Sequence, residues 1–187
     1  MLKRPRLSLV AITVLMLALA APTSAHSSVT TDPQGDIAAT EPVYLDIISA
    51  KITEQVGTGM LYLKIENAQA IPDAPAGFRA WNWFIHTTSG ATAEYVLTVR
   101  YCASPVPACA TAPRWESIVL DNTGPTPKVT FNAFPLRVDG AVVKAFVEPS
   151  QIGEATTFSW VAASRSVPAA SATSPVADVA AAASFSR

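Results

Sequence analysis

The chain has 187 residues, a length that suits one ordinary domain. Half of its residues are apolar and 14% are charged, a balance that excludes a disordered chain. Its 15 prolines and 8 glycines follow no G-X-Y period, which excludes a collagen-like chain.

The first 25 residues predict a secretory signal peptide. Residues 1–6 carry three basic side chains, residues 7–20 form an apolar run, and small residues lead up to Ala25. The apolar run is shorter than the 20 or so residues that a membrane span needs. We predict cleavage after Ala25, a secreted, extracellular protein, and no membrane span after signal removal. An uncleaved membrane anchor is the alternative interpretation.

Removal of the signal peptide changes the charge of the chain. Of the 13 Lys and Arg residues, three lie in residues 1–6, so ten remain against 14 Asp and Glu, a net charge of −4. No run of basic residues is left along the chain. Because nucleic acids are bound mainly through clustered Lys and Arg, we expect no nucleic acid partner.

The acidic turn at residues 32–36, which read DPQGD, is the most specific short motif. Asp32 and Asp36 flank Gly35, and Asp46 follows at the start of the next apolar segment. Carboxylates and backbone carbonyls at a turn are the oxygen ligands that Ca²⁺ prefers. We predict a structural calcium site formed by Asp32, Asp36 and Asp46. The alternative is an Asx-type turn with solvated carboxylates.

Eight segments show the alternation and the β-branched content of strands. They are residues 43–53, 59–67, 80–87, 94–102, 115–120, 128–134, 141–147 and 156–163. Asp139-Gly140 predicts a hairpin turn between two of them. We therefore predict an all-β fold, an antiparallel jelly-roll-like β-sandwich of about eight or nine strands over residues 26–165. Residues 166–187 are predicted to be a low-complexity Ala/Ser-rich tail, with a last edge strand near Asp178 as an alternative.

The two cysteines, Cys102 and Cys109, lie outside the predicted signal peptide. An exported protein meets an oxidising compartment, which would pair them. We predict a Cys102–Cys109 disulfide that closes the loop between the strands at 94–102 and 115–120. The spacing is not C-x-x-C, so a redox function is not indicated.

Four tryptophans follow the signal peptide, and their neighbours divide them into two groups. Trp81 and Trp83 share a strand face with Ile85, and Trp160 lies in an apolar segment, so we predict that these three pack in the core. Trp115 stands between Arg114 and Glu116. It is the predicted ligand-binding residue, because an exposed indole ring can stack against a sugar.

No catalytic residues are predicted. Only two histidines, His26 and His86, are present, and the chain has no G-x-S-x-G, H-E-x-x-H or glycine-rich phosphate motif. Nothing in the sequence singles out a pair of carboxylates for glycoside hydrolysis. Binding of haem by His86 and Met60 is a further hypothesis.

The order of motifs resembles that of the secreted DOMON-like or carbohydrate-binding family 9-like β-sandwich modules. The resemblance spans residues 31–163 and includes DPQGD at 32–36, Asp46-Ile47, FVEPSQIG at 146–153 and TFSW at 157–160. It implies a jelly-roll-like module that binds sugars or haem, in some cases with structural calcium. We predict a secreted non-enzymatic module that binds a glycan or another extracellular ligand. The alternatives are an exported structural or interaction protein without a small-molecule ligand, and a haem-binding electron-transfer domain.

Overall fold

The protein folds as an all-β sandwich in a computed structural model that describes residues 26–104, 109, 114–167 and 176–187. The described residues contain twelve strands in two antiparallel sheets, one of five strands and one of seven. The predicted signal peptide, residues 1–25, lies outside the described residues. The all-β sandwich predicted from the sequence is confirmed.

The five-stranded sheet combines the N-terminal strands with a later hairpin. In spatial order its strands are β1 (Ser27–Thr31), β2 (Ile47–Glu54), β3 (Leu61–Asn67), β9 (Val142–Val147) and β8 (Leu136–Asp139). Strands β8 and β9 are joined by a hairpin turn at the predicted Asp139-Gly140, where Gly140 adopts a φ of +58° that favours glycine. The first strand of this hairpin is β8 and not the predicted strand 128–134, whose residues 128–131 belong to the other sheet. Burial alternates residue by residue along β3, as expected for a strand with one face in the core.

The seven-stranded sheet holds the other strands. In spatial order these are β11 (Val176–Val179), β10 (Thr157–Val167), β4 (Phe78–His86), β5 (Tyr95–Cys102), β6 (Arg114–Asp121) and β7 (Lys128–Phe131). The last strand, β12 (Ala183–Ser186), pairs with the first residues of β10, whereas β11 pairs with β10 farther along. Two short strands therefore lie along the same side of β10.

The core lies between the inner faces of the two sheets. Trp81, Trp83 and Trp160 are fully buried, which confirms the predicted core positions. They meet aliphatic side chains of the five-stranded sheet such as Ile52 and Leu63. Burial of a large apolar side chain stabilises the fold by about 1.5–3 kcal/mol, so this layer supplies much of the driving force for folding.

The described strands outnumber the eight or nine predicted. The additional strands β1, β8 and β12 have only four or five residues, and β1 and β12 are rich in Ser, Thr and Ala, so their alternation is weak. The segment predicted as a strand from residue 43 begins instead with a 3-10 turn, Val43–Leu45. Pro42 precedes this turn, and the Asp46 N–H donates to the Val43 carbonyl, which keeps the backbone helical until β2 begins.

The end of the chain, where we predicted a low-complexity tail, contributes to the sheet and to the core. The described residues 176–187 include β11 and β12, and the side chains of Ala180 and Phe185 are buried. Phe185 stacks on Phe158 with ring centroids 5.1 Å apart. Alanine and serine give no periodic signal in the sequence, so β12 was not predicted, whereas the edge strand offered near Asp178 is present as β11.

The Cys102–Cys109 disulfide is confirmed, with Cα atoms 6.1 Å apart. It links the end of β5 to the loop that leads into β6. Two 3-10 turns, Val43–Leu45 and Pro149–Ile152, are the helical elements of the described residues. Neither has the length and hydrophobicity of a membrane span.

Candidate functional site

The acidic turn is held between β1 and β2 by backbone hydrogen bonds. Directly after β1, the Asp32 N–H donates to the Ile48 carbonyl at 3.1 Å. Gly35 has a φ of +90°, which L side chains rarely adopt, and its N–H donates to Asp46 Oδ2 at 2.8 Å. The glycine thus lets the turn fold back onto Asp46, as the sequence suggested.

A fourth carboxylate, that of Asp178 on β11, reaches the same place. Its Oδ2 accepts a hydrogen bond from the Ile47 N–H at 2.5 Å, and its Oδ1 accepts one from the Val179 N–H at 2.8 Å. Carboxylate oxygens of Asp32, Asp36 and Asp178 lie within 4.8 Å of one another. Asp46 is not one of these three, but it lies beside them, since its carboxylate accepts the Gly35 N–H and its charge acts on Asp32. We refer to Asp32, Asp36, Asp46 and Asp178 as the acidic cluster.

The electrostatics of the acidic cluster are unfavourable without a cation. Burial, followed by the charges of Asp178 and Asp36, raises the pKa of Asp32 to about 7, and Asp46 adds to this shift. Burial also raises the pKa of Asp178. None of the ion pairs formed by the described residues includes a member of the cluster. With no ion-pair partner for the cluster in the described part of the chain, the repulsion is relieved either by a proton on Asp32, which is hydrogen-bonded to Asp178, or by a bound cation.

Two buried oxygens in the cluster have no hydrogen-bond partner. They are Asp32 Oδ2 and Asp46 Oδ1, and the Asp46 residue is only 1% exposed. An unsatisfied buried carboxylate oxygen carries a desolvation cost, which a bound cation would remove. The hard oxygen donors of the cluster fit Ca²⁺, and Asp178 is a candidate ligand that the sequence analysis did not include.

Trp115, the predicted ligand-binding residue, is half-buried at the start of β6. Its ring packs against Trp81 and Tyr101, with centroids 5.7 and 5.2 Å away, and its Nε1–H donates to the Asp73 carbonyl at 3.1 Å. The indole is therefore fixed in orientation. Part of it remains accessible, because Trp115 lines a surface cleft.

The cleft beside Trp115 has a volume of about 340 Å³. It lies along β8, an edge strand of the five-stranded sheet. Its lining residues are Ile71, Asp73, Trp115, Leu136, Arg137, Val138 and Gly140. The lining combines apolar side chains with the charged residues Asp73 and Arg137, and the volume lies at the low end of the range of small-ligand sites. We refer to it as the Trp115 cleft.

A second cluster of charged residues is internally compensated. The buried Glu116 carboxylate accepts hydrogen bonds from Arg100 and, at 2.6 Å, from Arg114. The sulfurs of Cys102 and Cys109 lie beside the same carboxylate, at 3.4 and 3.6 Å from its Oε1. These two sulfurs are bonded to each other, so they offer no thiolate to a metal.

His86 and Met60, the residues of the haem hypothesis, lie in different sheets. His86 ends β4 in the seven-stranded sheet, opposite the exposed Ser159, whereas Met60 directly precedes β3 in the five-stranded sheet. Their positions give no support to an axial pair of haem ligands. No protein-family model, curated protein or solved structure matches this chain.

Proposed function

We propose that the chain is a secreted, non-enzymatic β-sandwich module that binds a glycan in the Trp115 cleft and is stabilised by a calcium ion at the acidic cluster. The observation that carries the proposal is the fixed indole of Trp115 in the wall of a cleft. The resemblance to secreted carbohydrate-binding modules agrees with it. The Cys102–Cys109 disulfide and the signal-like first 25 residues support export.

The geometry of the cleft suits a sugar ring. A rigid aromatic side chain can hold the apolar face of a sugar without losing much conformational entropy, because its packing on Trp81 and Tyr101 has already fixed it. Asp73 and Arg137 at the cleft supply hydrogen-bonding groups for ring hydroxyls. This combination of one anchored ring and a few polar groups is what orients a ligand in a small cleft.

The calcium ion would have a structural role in this module. Asp32 and Asp36 belong to the turn after β1, Asp46 precedes β2, and Asp178 lies on β11. An ion held by Asp32, Asp36 and Asp178 would join the two sheets and residues 176–187 at one point. Binding only to the folded state stabilises that state by mass action.

The test is calorimetric titration of the purified chain, in Ca²⁺, with neutral and acidic hexasaccharides. We expect one or more of them to bind and Trp115→Ala to weaken that binding by about thirtyfold, the effect of losing an interaction of about 2 kcal/mol. Trp115→Phe, which keeps a packed ring, should retain part of the affinity. Phe131→Ala is the matched control, because Phe131 is an aromatic side chain, half exposed, on β7 of the other sheet.

Circular dichroism of each variant separates loss of binding from loss of fold. If no hexasaccharide binds the folded wild-type chain, the glycan proposal is wrong and the structural or interaction protein becomes the better hypothesis. If binding survives Trp115→Ala unchanged, the cleft is not the site.

A further inference from the structure

Four basic side chains form a row across the outer face of the five-stranded sheet. Lys51 on β2 is paired with Lys64 on β3, Lys64 with Lys144 on β9, and Lys144 with Arg137 on β8. Cross-strand partners in an antiparallel ladder point to the same face of the sheet. Their sequence neighbours Ile52, Leu63 and Val143 are fully buried, which places the row on the solvent side. We refer to these four residues as the cationic row.

The cationic row is only partly neutralised by its neighbours. Glu66 pairs with Lys64 at 2.7 Å, while Asp139 pairs with Arg137 at 3.2 Å and with Lys144 at 3.5 Å. Lys51 has no ion-pair partner among the described residues. Four cations and two carboxylates leave a local charge of +2, whereas the ten basic and 14 acidic residues after Ala25 sum to −4. This face therefore carries a net positive charge on a chain whose net charge is negative.

Protection of a sheet edge does not account for the cationic row. Lysines placed to prevent edge-to-edge pairing stand on edge strands, but Lys51, Lys64 and Lys144 belong to the three inner strands of this sheet. On the edge strand β1, the residue paired with Lys51 is Val29, which is 56% exposed. Like charges directly opposite each other destabilise a sheet, so the row has a cost that binding of an anionic partner would offset.

The remaining side chains of this face suit a sugar polymer. Next to the row lies the pair Tyr62 and Phe146, half exposed, with ring centroids 5.3 Å apart. At its other end the row reaches the Trp115 cleft, because Arg137 belongs to both. The basic groups are spaced by one strand, about 4.8 Å, so the row extends over about 14 Å. One strand spacing is close to the length of one pyranose ring.

We infer that the outer face of the five-stranded sheet binds an anionic glycan, whose carboxylate or sulfate groups pair with the cationic row while one ring occupies the Trp115 cleft. The inference rests on the proposed glycan-binding function and adds the chemical class of the ligand. A glycan is favoured over a polyphosphate because the half-exposed rings of Tyr62 and Phe146 and the Trp115 cleft offer apolar surfaces that a sugar ring can cover.

The experiment compares three hexasaccharides by calorimetry with the full chain: a galacturonate hexamer, its carboxyl-reduced neutral counterpart, and a heparin-derived sulfated hexamer. We expect an acidic hexamer to bind at least tenfold tighter than the neutral one, and its affinity to fall as salt is raised. The two acidic hexamers distinguish carboxylate from sulfate as the recognised group. The triple variant Lys51→Gln/Lys64→Gln/Lys144→Gln should lose about tenfold or more of this affinity, since an exposed ion pair contributes a factor of a few.

Lys128→Gln is the matched control, because Lys128 is an exposed lysine on β7 of the other sheet, and it should bind like the wild type. Equal affinity for the acidic and neutral hexamers would overturn the inference and leave the proposed function standing. If no hexamer binds, both fail. Tighter binding of a hexanucleotide or of anionic vesicles, lost in the triple variant, would also overturn the assignment to an anionic glycan.

Discussion

Asp178 is the residue that makes the acidic segment at 32–36 a candidate metal centre. The turn at 32–36 is local, and Asp46 lies ten residues farther along. Asp178 comes from β11, and its two backbone hydrogen bonds, to Ile47 and Val179, fix the carboxylate beside the turn. A single side chain near the end of the chain therefore determines how many carboxylates a cation would meet.

Calcium should stabilise the wild-type chain and should act through Asp178. With Ca²⁺ at about a hundred times its dissociation constant, the free energy of unfolding rises by about 2.7 kcal/mol, or roughly 5–10 °C in the midpoint. Asp178→Asn should remove most of this gain. The measurement is thermal unfolding with Ca²⁺ and with chelator, and exposed Asp73→Asn is the control. A midpoint unmoved by chelator in the wild type would contradict the calcium site.

The raised pKa values of Asp32 and Asp178 predict a pH dependence without calcium. The pKa of Asp32 is about 7 in the folded state and about 3.8 in the unfolded chain, so between these values the folded state binds more protons. The contribution of this group to stability is therefore complete below about pH 4 and is lost as the pH rises towards 7.

In chelator, the wild type should lose stability relative to Asp32→Asn between pH 4 and 7. Hydrogen bonds from Thr88 and Thr123 lower the pKa values of Glu94 and Asp121, so these two carboxyls make the free energy of unfolding rise with pH. Because both proteins contain them, their contribution cancels in the comparison. Urea unfolding of both proteins across this range gives the difference. Parallel pH profiles would show that Asp32 titrates normally.

At the scale of single elements, two features change the stability of the fold in opposite directions: the disulfide between β5 and β6, and the like charges on the five-stranded sheet. The disulfide closes a short loop at the end of β5. Across the five-stranded sheet, register alone brings Lys51, Lys64 and Lys144 side by side, although the residues are far apart in the chain. The disulfide stabilises the fold, whereas the like charges of the three lysines destabilise it.

Removal of the disulfide should be tolerated. Closing an eight-residue loop contributes roughly 2.5 kcal/mol in the chain-entropy account, and a domain of this size has a core that suffices without it. Cys102→Ser/Cys109→Ser should therefore lose about 2 kcal/mol in urea unfolding and remain folded by circular dichroism. A variant that cannot fold would show that the loop is essential.

Neutralisation of Lys51 should slightly stabilise the protein. Lys51 faces Lys64 across the strand pair and has no ion-pair partner in the described part of the chain. Lys51→Gln removes a like-charge contact, so the free energy of unfolding should rise by about 0.2–0.5 kcal/mol at low salt. Lys128→Gln, away from the row, removes an opposite-charge contact with Asp121 and should instead lower it slightly. A loss of stability on Lys51→Gln would mean that the lysine stem contributes more by packing than its charge costs.

At the scale of the whole molecule, the sandwich is closed by the last residues of the chain. Strand β12 covers the start of β10, and β11 covers its continuation, so the C-terminal residues complete both the core and the acidic cluster. The acidic cluster, the larger sheet and residues 176–187 are thus connected.

Phe185→Ala should therefore be as damaging as a substitution in the middle of the core. Phe185 is 3% exposed and stacks on Phe158, and truncation of a buried Phe costs about 3–5 kcal/mol. Val179→Ala, at a 48% exposed position of the neighbouring strand, should cost less than about 0.5 kcal/mol. Urea unfolding measures both. Equal, small losses would show that residues 183–186 do not stabilise the domain.

Alternation and apolar context along the sequence were enough to predict the all-β sandwich and the buried positions of Trp81, Trp83 and Trp160. The Asp139-Gly140 dipeptide was enough to predict a hairpin turn. The same sequence predicted the disulfide. Each of these features depends on residues within one strand, one turn or one short loop, where backbone geometry fixes which side chains share a face. Short strands such as β1 and β12 have too few residues for this pattern to be visible.

Only the tertiary structure decided which distant residues are neighbours. Asp178 joins Asp32 and Asp36, Arg137 completes the cationic row, and Trp115 is held half-buried over Trp81 instead of projecting freely. Alternation with a period of two predicts which face of its strand a side chain occupies. The identity of the neighbouring strand, and the register between the two strands, follow from packing of the whole core. The sequence of one strand therefore does not predict its contacts with a strand that is far away in the chain.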